Sequence, residues 1–288
     1  MRRDKAAYIW KMLKRDRVTL ISGAVVMVFI LMAVFSPLLA PHDPEDADLK
    51  KRLKPPAWME GGDWRYPLGC DQMGRDILSR IIYGSRVSIF IGITVVMISA
   101  CIGTALGLIG GYRGGWIDTI LSGIVDILLA FPLLVFSIAL MAATGPGIRN
   151  LILALTYKEW VPFYRLVRGE VLVAKKTEYT ESARAIGADD LYIMFRHILP
   201  NVLTPVMVLA TLDVANIILS EASLSFLGLG VQPPTPAWGL MINEGRAHIL
   251  TAWWVSTFPG LAIVILVLAL NLFGQGLREI SEPKLRRR

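Results

Sequence analysis

Several uninterrupted apolar runs, each long enough to cross a hydrocarbon slab ~30 Å thick, constrain this chain more than any other feature. Six such runs stand at about 18–39, 87–110, 116–143, 148–166, 201–225 and 255–276. They predict an all-α integral membrane protein with six transmembrane helices. With 54% hydrophobic residues, 18% charged residues and a mean hydropathy of +0.54, the chain is too apolar for a surface that faces only water.

The formal charge of +7 does not point to nucleic acid, because the basic residues gather at the chain ends and in particular loops. Arg2, Arg3, Lys5, Lys11, Lys14, Arg15 and Arg17 precede the first run, and Arg278, Lys284, Arg286, Arg287 and Arg288 follow the last. An even number of spans puts both ends on one side. The positive-inside rule makes that side cytoplasmic. Arg168, Lys175, Lys176, Arg184 and Arg196 fall in the intervening stretch 167–199, inside by the same count. The first run is too long for the apolar core of a signal peptide, so it reads as a retained helix.

The expected organisation is a cytoplasmic segment 1–17, a first helix 18–40 and an extracytoplasmic segment 41–86. A five-helix unit 87–277 and a basic cytoplasmic tail 278–288 complete it. The segment 41–86 holds eight basic and eight acidic residues and obeys the charge rule least. The two cysteines, Cys70 and Cys101, lie in unlike surroundings and suggest no disulfide.

Ionisable residues inside spans are costly in lipid, at about 2.5–3.5 kcal/mol each on insertion scales. Asp118 and Asp126 in the third run, Lys158 and Glu159 in the fourth, and Asp213 and Glu221 in the fifth therefore predict a polar interior. They either line a translocation path or lock helices together. Gly103, Gly107 and Gly111 recur every four residues, a seam suited to close helix packing.

Candidate chemistry is sparse. His42, His197 and His248 are scattered without an HExxH arrangement, and no Gly-Lys dipeptide exists to build a phosphate-binding loop. These features predict no catalytic, metal or cofactor-binding residues. If ATP drives the protein, a different chain binds it.

The most informative polar stretch is 177–200, TEYTESARAIGADDLYIMFRHILP. Tyr179, Ala183 and Ile186 share one face, Gly187 permits a break, and Leu191, Met194, Phe195 and Ile198 form a second stripe. Such a stripe either inserts in a groove of a soluble partner or packs on its own bundle.

This stretch resembles the EAA loop of ABC importer permeases: EAA, three residues, Gly, nine residues, IxLP. Glu181, Ser182, Ala183, Gly187, Leu199 and Pro200 occupy the matching places. Ser182 replaces an alanine, and His197 replaces the isoleucine. YPLGCDQMGRDILSRIIYGSRVS at 66–88, GYRGGWID at 111–118, DILLAFP at 126–132 and EASLSFLGLGVQPPTPAWGLM at 221–241 extend the resemblance. They point to the dipeptide, oligopeptide, nickel and glutathione branch, and to its second, C-type permease subunit. Gln275 departs from the aspartate common in that branch.

The resemblance implies a type I importer permease fold in a bacterial or archaeal plasma membrane. It implies a second homologous permease, two ATP-binding subunits that hold ATP and Mg, an extracytoplasmic solute-binding protein and surrounding lipid as partners, with no nucleic acid. Residues 177–200 would couple to an ATPase, with Leu191 and Phe195 among the contacting positions. A stand-alone secondary transporter or channel using the interior acids is the alternative of another class, and a membrane-embedded enzyme is a more distant one.

Overall fold

The computed structural model describes residues 16–281. The basic residues expected to orient the two ends, Arg2 to Arg15 and Lys284 to Arg288, lie outside the described residues. Among the described residues the structure is helical, with no strand.

The first long helix, α1 (Arg17–Val34), begins where the Asp16 carboxylate accepts from the Val18 N–H and the Thr19 hydroxyl. Such side-chain capping satisfies donors that a helix start leaves bare. A short α2 (Ser36–Leu39) follows. The segment from Pro41 to Asp76 folds into turns, and Asp76 then caps α3 (Ile77–Arg113) by accepting from the Ser79 N–H at 3.0 Å.

That helix starts ten residues before the expected run at 87, so the segment that follows the first helix ends near 76 rather than 86. Ser79, Arg80 and Ser85 depress the local hydropathy, yet all three are buried. The Trp238 indole N–H donates to the Ile81 carbonyl at 3.0 Å, and a Cβ on Gly84 would meet the Trp238 ring at 2.8 Å. Packing overrides the polar composition here.

The expected third span is broken. α4 (Gly115–Leu129) and α5 (Leu133–Thr144) meet at an 86° bend, where Pro132 removes a backbone donor. Neither piece alone is long enough to cross a bilayer. The next helix, α6 (Ile148–Ala174), is about 40 Å long by its residue count. It is polar because it carries Lys158, Glu159, Arg165, Arg168 and Glu170.

After α6 come α7 (Glu178–Ala185), a three-residue α8 (Asp190–Tyr192), a π-helical turn over Ile193–Ile198 and α9 (Leu199–Phe226). α10 (Trp238–Gly245) and α11 (Trp254–Ser281) complete the fold. Four helical stretches are long and apolar enough to span, and a fifth is added if the bent pair is one crossing. The remaining expected crossing, the fourth run, is α6, which its charges set apart.

The chain direction defines two ends. Residues 41–76, 145–147 and 227–253 gather at one, where the Gly147 N–H donates to the Gly230 carbonyl and the Trp254 indole to the Cys70 carbonyl. An ion-pair network also ties that end together. Buried Arg75 bonds Asp71 at 2.7 Å and Glu244 at 3.0 Å, and fully buried Arg80 reaches the same Glu244 oxygen at 3.0 Å. The opposite end holds residues 113–115 and 175–198. The start of α1 and the far part of α11 are also together, because a Cβ on Gly276 would collide with the Thr19 side chain.

The glycine seam determines the tightest helix pair. Cβ atoms on Gly103 and Gly107 would run into the α6 backbone, the latter 2.8 Å from the Tyr164 carbonyl oxygen. Small residues let two helices approach this closely. Phe163, Val167 and Val171 are buried on the facing side of α6.

Candidate functional site

The stretch 177–200 forms a hinged foot at the end of the bundle. Its entry is fixed locally: the Thr177 and Thr180 hydroxyls both donate to the Ala174 carbonyl, at 2.6 and 2.9 Å. These bonds satisfy an acceptor at the end of α6 and turn the chain into α7.

The hinge is a Schellman termination of α7. The Ala188 N–H donates to the Ala183 carbonyl at 3.1 Å, and the Gly187 N–H donates to the Arg184 carbonyl at 3.0 Å. Gly187 has φ +83°, the left-handed region that a side chain disfavours. Nothing lies within 4 Å of where its Cβ would be, so conformation, not space, selects glycine. Asp189 then restarts the helix by accepting from the Leu191 N–H at 3.3 Å.

The predicted second stripe splits. Met194 and Ile198 are buried with Ile193 in the chain's own core, whereas Leu191 and Phe195 are exposed beside Tyr192. The i, i+4 pairs 191/195 and 194/198 therefore serve opposite sides. Within α7, Ala183 is buried, Glu181 and Ser182 are exposed, and Ile186 is 86% exposed. Leu199 is partly buried on the core, and Pro200 is exposed at the first turn of α9. The foot thus offers Ile186, Leu191, Tyr192 and Phe195 outward on a base anchored by Ala183, Ile193, Met194 and Ile198.

Polar contacts to Tyr112, near the end of α3, hold the foot in place. Its hydroxyl donates to Asp190 at 2.6 Å and receives from Arg184 at 3.4 Å, while the Lys175 ammonium donates to its backbone carbonyl. Sequence reasoning overlooked this hub. The signal was present in GYRGGWID as an aromatic ring followed at once by a glycine pair that ends α3.

The interior ionisable residues take different roles. Glu221 is buried and accepts from Ser88 at 3.0 Å and Ser225 at 2.7 Å, joining α9 to α3. Glu159 and Asp213 face each other between α6 and α9, and Asn216 donates to Asp213 at 3.3 Å. Lys158 does not pair with Glu159 in the structure: it donates to the Phe131 carbonyl exposed by the bend, while Tyr157 stacks on Phe136 at 4.8 Å. Asp118 binds Arg168 through two bonds. Asp126, expected to face the interior, instead sits exposed on α4, since only Val125 of that helix is buried. Gln275 is likewise exposed, on α11.

No group of three or more His, Cys, Asp or Glu side chains suited to a metal occurs among the described residues. The arrangement is a membrane-crossing bundle with a hinged foot at one end.

Comparison with known proteins agrees with this class. Residues 103–287 match the family described as binding-protein-dependent transport system inner membrane component, and residues 6–56 match the N-terminal TM domain of oligopeptide transport permease C. The dipeptide transport system permease protein DppC of Haemophilus influenzae is 43% identical over 96% of this chain and 94% of its own length. The glutathione transport system permease protein GsiD of Pectobacterium atrosepticum is also 43% identical, over 96% and 90%. A di/tripeptide permease protein of Pseudomonas aeruginosa is 42% identical over 90% and 86%.

Among solved structures, a chain of the MetNI methionine ABC transporter in an inward-facing conformation superposes with a TM-score of 0.56. The match covers 71% of this chain and 97% of that one at 19% identity, a likeness of fold. The chain belongs to the binding-protein-dependent transport system inner membrane component family. It is a multi-pass permease component, a transporter subunit rather than an enzyme.

Proposed function

We propose that this chain forms half of the translocation channel of an ATP-driven peptide importer and receives its motive force through the foot at 177–200. The observation that carries this reading is the foot's construction: a glycine hinge, a base buried in the bundle, and an outward apolar set fit for a partner's groove. The partners would be a second permease subunit, two ATP-binding subunits that hold ATP and Mg, and an extracytoplasmic solute-binding protein. Glu181, Ser182, Ala183, Gly187, Leu191, Phe195, Leu199 and Pro200 would form or frame the contact. Both termini would be cytoplasmic, since the foot lies at the same end of the bundle as the start of α1.

Asp126 supports the channel half of the proposal. A carboxylate on the outer face of a spanning segment is expensive against lipid, so that face of α4 would meet the second permease or an aqueous path. Asp213, Glu221, Lys158 and Glu159 hold helices together instead. Closure of the ATPases would move the foot and switch the bundle between two rigid arrangements.

Dipeptides are the proposed cargo on the strength of relatives named for them across nearly the whole chain, and oligopeptides join them through the family match at 6–56. Glutathione, itself a tripeptide, is the second reading, favoured by the equally similar GsiD. Nickel is the third. Cells lacking this chain should lose uptake of labelled dipeptide and regain it on complementation, with nickel uptake unchanged. Normal peptide uptake in the deletion would refute the cargo assignment.

A further inference from the structure

A cleft of about 620 Å³ opens between the foot, the end of α3 and the first turn of α4. Three cations line it, Arg113, Lys175 and Arg184, against one carboxylate, Asp190. The Asp190 carboxylate already accepts from the Tyr112 hydroxyl at 2.6 Å. Lys175 lies 5.4 Å from the centre of the Tyr112 ring, and Arg113 has no hydrogen-bond or ion-pair partner among the described residues. Cations outnumber carboxylates in the lining three to one, so an anion entering the cleft would meet a net positive potential.

The cleft's surroundings identify which anion. Arg113 ends α3 and Lys175 caps α6, two long helices whose ends are joined by the bond from Lys175 to the Tyr112 carbonyl. Trp116 at the mouth is 73% exposed, and Ile120 and Ile124 are exposed one and two turns further along α4. Spacing of i, i+4 and i+8 puts the three on one face, an apolar track running from the cleft along the helix. Tryptophan favours the boundary between headgroups and acyl chains, and basic residues there attract anionic lipid. Neither Ile186, Leu191 nor Phe195 lines the cleft, so it is separate from the outward apolar set of the foot.

We propose that this cleft is a binding site for one anionic phospholipid, its phosphate among Arg113, Lys175 and Arg184 and an acyl chain along Trp116, Ile120 and Ile124. The inference goes beyond the coupling role and does not require it, because lipid retention is measured in detergent without regard to transport or sidedness.

The test uses the full-length chain purified with its transporter partners, exposed to phosphatidylglycerol or phosphatidylcholine and weighed by native mass spectrometry. Wild type should retain phosphatidylglycerol in preference to phosphatidylcholine. Arg113→Gln should lower that retention about fivefold, the effect of one basic residue near a charged headgroup. Arg113→Lys should restore it, and Ile120→Asn should weaken it by removing the acyl track. Lys175→Gln provides a second cation variant should Arg113→Gln fail to assemble.

Equal retention of the two lipids, or unchanged phosphatidylglycerol binding in both cation variants, would overturn the proposal. Displacement of the lipid by inorganic phosphate would also overturn it, by identifying a site for free anion. A cleft filled by a protein partner with no lipid bound would do the same.

Discussion

Arg168 on α6 grips Asp118 on α4 with two parallel bonds, Nε to Oδ1 at 2.5 Å and Nη2 to Oδ2 at 2.6 Å. Tyr164 donates to the same carboxylate at 3.4 Å. The bidentate fork fixes direction as well as distance, which a lysine cannot reproduce. The pair anchors the foot-side half of the broken helix to the rigid α3–α6 core.

Removing either partner should loosen that half. Since the guanidinium is about one-third exposed, the loss is discounted to about 1–2 kcal/mol, between the surface and buried cases. Asp118→Asn and Arg168→Gln should each lower the thermal midpoint of the purified complex, and the double variant should lose less than the sum. Strictly additive losses would mean the two side chains act independently.

Glycines on two helices should respond in opposite ways. Gly103→Ala drives a methyl group into the Trp160 carbonyl and Phe163, an overpacking cost of about 1–3 kcal/mol. Gly123→Ala on α4 meets nothing within 4 Å and should be neutral or stabilising by up to about 1 kcal/mol. Thermal midpoints of the paired variants decide it; similar values would remove the close-packing role of the seam.

At the hinge, Gly187→Ala should cost about 1–2 kcal/mol from its left-handed backbone. Asn tolerates that region better, so Gly187→Asn should retain more uptake than Gly187→Ala. Gly187→Pro should abolish uptake while the chain still inserts, because proline cannot adopt a positive φ and also removes the N–H bonded to Arg184. Equal uptake in all three variants would show that the hinge conformation is immaterial.

Cys70 reports on the packing of the turn-rich segment 41–76. Burial, with the Asp76 and Asp71 carboxylates adding to it, pushes its thiol up to about 12. The reactive thiolate is therefore scarce at ordinary pH. Stability that depends on the neutral thiol is complete below the unfolded value near 8.5 and is lost as pH rises through the folded one. Iodoacetamide at about pH 8 should modify Cys70 only after unfolding, as read by peptide mass spectrometry. Stoichiometric alkylation of the folded protein would contradict this packing.

Much of the architecture was legible because lipid imposes long apolar runs, and α1, α9 and α11 follow theirs within a few residues. The start of α3 was not legible, since Arg80 and Ser85 are polar by composition yet buried, Arg80 against its distant partner Glu244 and Ser85 with its hydroxyl bonded to the Ile82 carbonyl of its own helix. The 86° bend is marked by Phe131-Pro132, but its stabilisation by Lys158 depends on a helix distant in sequence. In the foot, periodicity revealed amphipathic character without revealing that Met194 and Ile198 turn inward while Leu191 and Phe195 turn out. Asp126 shows the same limit: hydropathy reports that a charge lies in a span, not which side of the bundle it faces.

The most direct measurement is ATP-dependent peptide uptake by proteoliposomes in which this chain carries Glu181→Lys. Glu181 is exposed in the first turn of α7, so reversing its charge should leave the bundle folded and inserted. Uptake falling to background, with the permease still in the membrane, is the predicted result. Uptake at the wild-type rate would contradict the claim that this foot drives the channel.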